Sequence, residues 1–363
     1  MNKTPNPAGN GKDPAIPDSA GFHKAPCETS SHQDRAATQG ANHSMRNDPL
    51  HIQAKETQAG ERDAEASRAV LDLASSLEAS TGYPIQIVFE DLPLEADAYV
   101  EVAPLARLDC HVVHCTPFLS RPIYLHVLAH ELTHIHLDHQ ALTAGKAREF
   151  LPSARTRRHL SRLYSTPARR FRRQGWSNAE IEEAVQADAG SLLMLLYNCP
   201  VDLVVELWLS RNYPCLSAAQ FLALYRLHQR DVHPRDNPSQ DNLRPRQLDI
   251  CGLALDCVRA LLHDEICAPA TAFAAPYRDT EVFPLALRLW QHWKAVSPSL
   301  GPGDEFRLVD TFADILGLRQ AYESRTQAIS ARRPLGPPEG ASFRVNHSPE
   351  PDHFENAQQS DGL

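Results

Sequence analysis

Apolar residues recur at helical spacing over 63–80 (DAEASRAVLDLASSLEAS), at positions 66, 70, 71, 73, 74 and 77. The tetrapeptide TGYP stops that pattern. The period then shortens. IQIVFED (85–91) alternates and is β-branched, and DAYVEVA (97–103) and CHVVHCTPF (110–118) follow it, which predicts three strands. PIYLHVLAHELTHIHLDHQAL reads as a long helix that begins near residue 122. A second helix is expected over 177–200, SNAEIEEAVQADAGSLLMLLYNCP. Ser177 or Asn178 can cap it, Glu180 stands three residues after Ser177, and Pro200 closes it. Beyond 200 the spacing predicts helices near 201–211, 217–230, 246–263, 283–295 and 305–328, with a loop at 233–245. A helix, a few strands and then many helices make an α+β fold.

Residues 1–62 and 334–363 are poor in aliphatic clusters and rich in Pro, Ser, Asn and Gln, so disordered tails are expected there. Between them the reading divides a core at 63–200 from a helical C-terminal region at 201–333. A net charge of −9 gives no global signature of nucleic-acid binding. The eight cysteines include no C-x-x-C pair, which argues against a cysteine zinc knuckle. The N-terminal residues hold no apolar signal segment, and no run approaches the ~18 apolar residues of a membrane span. A soluble, cytoplasmic protein without a membrane partner is the expectation.

The chemistry concentrates in VLAHELTHIHLDH, 127–139, where His130, Glu131 and His134 form H-E-x-x-H. On a helix, residues at i and i+4 share a face, so both imidazoles can reach one ion, as Zn2+ requires. Glu131, rotated ~100° from His130, stands where it can take a proton from water at the metal as general base. Burying such a trio on an apolar helix is costly unless a metal satisfies it. The longer pattern with a third histidine fails, because Leu137 and Gln140 stand where Gly and His would be needed.

The order helix, strands, VLAHELTH, linker and E…AD…LL resembles the minimal gluzincin metallopeptidases, particularly the ImmA/IrrE-like group, and the HtpX-like peptidases share the second-helix pattern. The resemblance spans roughly 66–200. It implies a zincin-like core, Zn2+, and hydrolysis of peptide bonds in a protein or peptide substrate. It also implies a Glu ligand on the second helix, four residues before an Asp or Asn. Here Ala184 holds that place, Glu183 comes one residue early, and Asp188 matches the Asp. The third ligand is therefore left between Glu183, swung in by a bulge, and Asp188, which the apolar positions 181, 184, 185, 192 and 195 put on the buried face. The off-register Glu equally suits a non-catalytic regulator that keeps the zincin shell.

Other clusters are weaker. Arg148, Arg155, Arg157, Arg158, Arg162, Arg169, Arg170, Arg172 and Arg173 separate the two ligand-bearing helices; they form a solvated face or a dock for an acidic substrate or nucleic acid. In CHVVHC, strand alternation sends Cys110 and His114 one way and His111 and Cys115 the other, which precludes one shared ion. The backbone of 110–118 is a plausible partner for an extended peptide. His126 reads as a satisfied core histidine, and Cys251, Cys257 and Cys267 as buried thiols. Tyr164, His159 and Tyr197 are the possible oxyanion donors.

Overall fold

The computed structural model describes residues 49–92, 96–151, 154–232, 244–327 and 344–345. The tails expected at 1–62 and 334–363 therefore fall mostly outside the described residues. Ile52–Leu363 forms one compact unit. Its first helix, α1, spans Pro49–Thr81, so 49–62 is helical where a tail was expected. Ala66, Val70, Leu73, Ala74 and Leu77 bury its inner face, whereas Leu71 is exposed.

The three expected strands form where the alternation put them, each slightly shorter: β1 (Ile85–Phe89), β2 (Ala98–Glu101) and β3 (His111–Cys115). With β6 (Arg344–Val345) they make a sheet of order β2-β3-β1-β6. β3 is parallel to β1 and antiparallel to β2, hence paired on both sides. Its backbone cannot receive a peptide, a correction to that expectation; β2 carries the open edge on that side of the sheet. Alternation along β3 buries His111, Val113 and Cys115 and leaves Val112 and His114 half-buried. A short helix, α2 (Ala103–Ala106), links β2 and β3.

The histidine helix α3 covers Arg121–Thr143. Pro122 sits in its first turn, where the missing N–H costs nothing. Gly145, at φ 66°, ends it: Lys146 N–H bonds the Ala141 carbonyl and Gly145 N–H that of Leu142, a Schellman closure. Leu128, Leu132 and Ile135 are buried and fasten α3 into the core. A small second sheet pairs β4 (Arg148–Leu151) antiparallel with β5 (Glu323–Thr326), which shortens the helix expected at 305–328 to α10, Glu305–Leu316.

Two short helices, α4 (Ala154–Leu163) and α5 (Ser165–Arg173), lead to α6, Asn178–Asn212. The expected capping box is present: Ser177 Oγ accepts from Glu180 N–H and Glu180 Oε2 accepts from Ser177 N–H. The expected stop is not. Pro200 lies inside α6, and the helix continues twelve residues past it. An internal Pro costs about 3 kcal/mol, but Cys199, Val201, Leu203, Val205 and Leu209 around it are all buried. Apolar packing on both flanks outweighs one broken turn. The boundary expected at 200 thus falls within a single helix, and one hydrophobic core runs from Ala66 to Tyr322. Among the described residues α6 is also the one helix long and apolar enough to cross a membrane, with half of that stretch buried inside the fold. α7 (Ser217–Val232), α8 (Arg246–Ile266) and α9 (Phe283–Val296) complete the helical layer.

Candidate metal centre

α3 and α6 run antiparallel with one polar stripe on each. On α3 the stripe is His126, His130 and His134, spaced by four; on α6 it is Asp202 and Glu206, also spaced by four. Helical geometry stacks each set on one face. His130 Nε2 lies 3.1 Å from His134 Nε2, 3.5 Å from Asp202 Oδ1, and His134 Nε2 lies 3.4 Å from the same oxygen. Ligands on a tetrahedral zinc with bonds of about 2 Å stand about 3.3 Å apart. The three atoms already form one face of such a tetrahedron.

Hydrogen bonding explains why they do. Glu206 Oε1 accepts from His130 Nδ1 at 2.9 Å and from His126 Nε2 at 3.1 Å. Its other oxygen takes the Gln220 side-chain amide at 2.7 Å, and the same amide also reaches the Glu206 carbonyl at 3.1 Å. Burial works against the Glu206 charge, yet the two histidines hold its pKa well below the usual carboxylate range. A carboxylate can only accept, so the hydrogen of neutral His130 sits on Nδ1. Its Nε2 is then a lone pair, aimed at another imidazole nitrogen and a carboxylate oxygen. Three electron-rich atoms at this spacing repel unless a positive charge lies among them. The His130 pKa carries the same message: burial would lower it, but Asp202 and Glu206 raise it well above its ordinary value. Without a metal, a proton fills the demand. The His126 ring carries one cost, since its buried Nδ1 has no hydrogen-bond partner among the described residues.

Glu131 is 8% exposed, and among the described residues no hydrogen bond or ion pair reaches its carboxylate. Burial raises its pKa; His134 and His130 lower it again, and Asp202 pushes it up. It also bears on the thiol of Cys115, which burial and then Glu131 raise to about 12. A buried carboxyl with no protein partner, one residue from His130, is free to handle a proton. His130, His134 and Asp202 are each about one-fifth exposed in their side chains, so the face opposite the helices is reachable.

No family model, curated protein or solved structure matches this chain. The centre therefore stands on its own atoms.

The two third-ligand candidates lie elsewhere. Glu183 is exposed to solvent. Asp188 is tied to the Tyr164 hydroxyl and the Arg244 guanidinium. Asp202 stands 14 positions after Asp188, so the helix rise puts them roughly 21 Å apart, and Glu183 farther still. No bulge swings Glu183 across that distance in an unbroken helix. The carboxylate brought to the histidines is Asp202, and the brace is Glu206, four residues later. The sequence does carry their signal, D-L-V-V-E at 202–206, immediately after the proline that looked like an end. Nothing local in the sequence points to Gln220, which arrives on another helix.

The remaining candidates sort cleanly. His111 accepts from Ala103 N–H at Nδ1 and meets Thr81 Oγ1 at Nε2, a satisfied core histidine. His114 faces Glu90 and Glu101 and stacks on Tyr99. Cys251 and Cys257 are buried and Cys267 is half-buried, all three as free thiols. Of the possible oxyanion donors, Tyr164 is spent on Asp188. Tyr197 lies one helical turn and a residue before Asp202 and feels its charge; burial first, then Asp138, Glu305 and Asp202, raise its pKa well above normal. Its hydroxyl bonds no described residue.

Proposed function

We propose that this protein is a zinc-dependent metallopeptidase. The observation that carries the reading is the triangle of His130 Nε2, His134 Nε2 and Asp202 Oδ1, with the unpartnered carboxyl of Glu131 beside it. Two imidazoles and a carboxylate suit Zn2+. The resemblance of VLAHELTH to the ImmA/IrrE-like gluzincins supports the same assignment, with D-x-x-x-E in place of E-x-x-x-D. When bound, zinc would supply a Lewis acid for the scissile carbonyl and lower the pKa of water. Glu131 takes the proton from the attacking water at its carboxylate and returns it to the leaving nitrogen. Burial favours both transfers, since it raises the carboxyl's pKa above its ordinary value. Glu206 fixes the His130 tautomer, and Gln220 fixes Glu206. Tyr197 offers its hydroxyl to the developing oxyanion. A cleft of about 260 Å³ lined by Phe89, Thr116, Pro117, Leu119, Arg121 and Tyr124, at the start of α3, offers a mixed apolar and polar place for a substrate side chain.

Metal analysis of the purified full-length chain tests the assignment. The expected result is about one zinc per chain in the wild type and in Asp188→Ala, and none in Asp202→Ala. Absence of zinc from a wild type loaded with excess metal sinks the proposal. If zinc is present, cleavage of fluorogenic casein by the wild type but not by Glu131→Gln separates a peptidase from a silent zinc protein.

A further inference from the structure

Residues 154–177 hold eight arginines and no Asp, Glu or Lys, in a chain whose net charge is −9. They form α4, α5 and the turn into α6. The apolar positions Leu160, Tyr164, Ala168 and Phe171 are buried, and Arg158, Arg162, Arg169, Arg170, Arg172 and Arg173 are exposed. The bonds of Tyr164 to Asp188, and of Asp188 to Arg244, anchor the pair of helices. Among the described residues no ion pair reaches Arg162, Arg169, Arg172 or Arg173, and the Arg172 Nε donates to the neutral Asn178 amide oxygen. Two of the three adjacent acids on α6 are engaged elsewhere, Glu180 in the capping box and Glu182 as acceptor from Gln186, and Glu183 is exposed. Trp176 ends the segment 41% exposed, edge-on to Phe171 at 4.8 Å.

We propose that α4 and α5 form a docking surface for the phosphate backbone of a nucleic acid, with Trp176 as a stacking platform at its edge. Guanidinium forks match phosphate oxygens two by two, which lysine does not, and this segment uses arginine throughout. Arg162, Arg169, Arg172 and Arg173, exposed together on one segment, concentrate polyanions around it. An acidic membrane is the poorer fit, because an interfacial helix inserts an apolar face and both apolar faces here are already spent on the core. An exposed indole beside arginines is what base stacking uses. The anchor Asp188 is roughly 21 Å along α6 from Asp202, so this surface is separate from the metal centre and does not depend on its assignment.

The test is fluorescence anisotropy of a fluorescein-labelled oligothymidine with the full chain, across a sodium chloride series. The wild type should bind at low salt and weaken steadily as salt rises. R162A/R169A/R173A removes three exposed guanidiniums; its binding at low salt should fall at least about tenfold and its log–log salt slope shrink by about 2. Circular dichroism and zinc content of this variant should match the wild type. Trp176→Ala should weaken single-strand binding about tenfold and leave a duplex of the same length unaffected. No binding by the wild type at low salt, or equal binding by the triple variant, overturns the proposal. Co-sedimentation with phosphatidylserine–phosphatidylcholine vesicles without oligonucleotide binding overturns it in favour of a membrane.

Discussion

Asp188 and Asp202 stand on the same helix, each about one-fifth exposed, and their surroundings are opposite. Asp188 meets a permanent cation, Arg244, and a hydroxyl donor, Tyr164. Every charge in that cluster is answered by a protein group, so it is a clamp joining α5, α6 and α8. Asp202 meets two imidazole nitrogens, one of them held as a lone pair by Glu206. There the carboxylate's partners are bases as well, a grouping that could hold a metal ion. Sequence periodicity puts Asp188 on a buried face and says nothing of what that carboxylate meets there.

The sharpest way to break the comparison is to remove each acid in turn. Asp202→Ala and His134→Ala should each abolish zinc binding while leaving a folded chain. Asp188→Ala should retain zinc and lose about 2 kcal/mol of stability, the worth of charged hydrogen bonds in a largely buried cluster. Plasma mass spectrometry and thermal melts read the two effects; a zinc-free Asp188→Ala chain with a normal melt would invert the assignment. Glu131→Gln comes next. It should keep the metal and cut the cleavage rate by about 10³, the usual range for a lost general base. Gln220→Ala is smaller: freeing Glu206 should weaken zinc affinity about tenfold, measured by competition with a chromogenic chelator.

The smallest expected effect involves an acid outside both clusters. Glu305 is 3% exposed, one of its oxygens has no hydrogen-bond partner among the described residues, and burial raises its pKa from 4.5 to about 7. The folded chain therefore holds a proton there that the unfolded chain gives up near pH 4.5. That contribution to stability is complete below about pH 4.5 and is lost as pH rises through about 7. Glu305→Gln should raise the melting temperature above pH 7 and bring no gain at pH 5. A melt difference independent of pH would show that Glu305 is not protonated in the fold.

Much of the fold was legible because it rests on local period. Strict alternation put β1, β2 and β3 within two or three residues of their ends, and the H-E-x-x-H spacing put His130 and His134 on one face of α3. Serine and glutamate three apart gave the start of α6. The remainder depends on packing that no short window contains. Pro200 is a helix breaker by its own chemistry and a helix residue by its neighbours, because Cys199, Val201, Leu203 and Val205 bury around it. Taking it as an end hid Asp202 and Glu206 in what looked like a different helix. β4 and β5 pair across more than 170 residues of chain, too far for periodicity to register. Gln220 reaches Glu206 only once α7 has docked on α3 and α6.

Pro200 also dictates how this protein can be cut. A fragment ending at 200 keeps the whole H-E-x-x-H motif and would look like a self-contained catalytic core on an alignment ruler. It would lack Asp202, which faces both histidines, Glu206, which accepts from His130, and Gln220, which donates to Glu206. A piece that keeps all of these groups must run at least to Gln220, on α7, and would still cut through the core that continues to Tyr322.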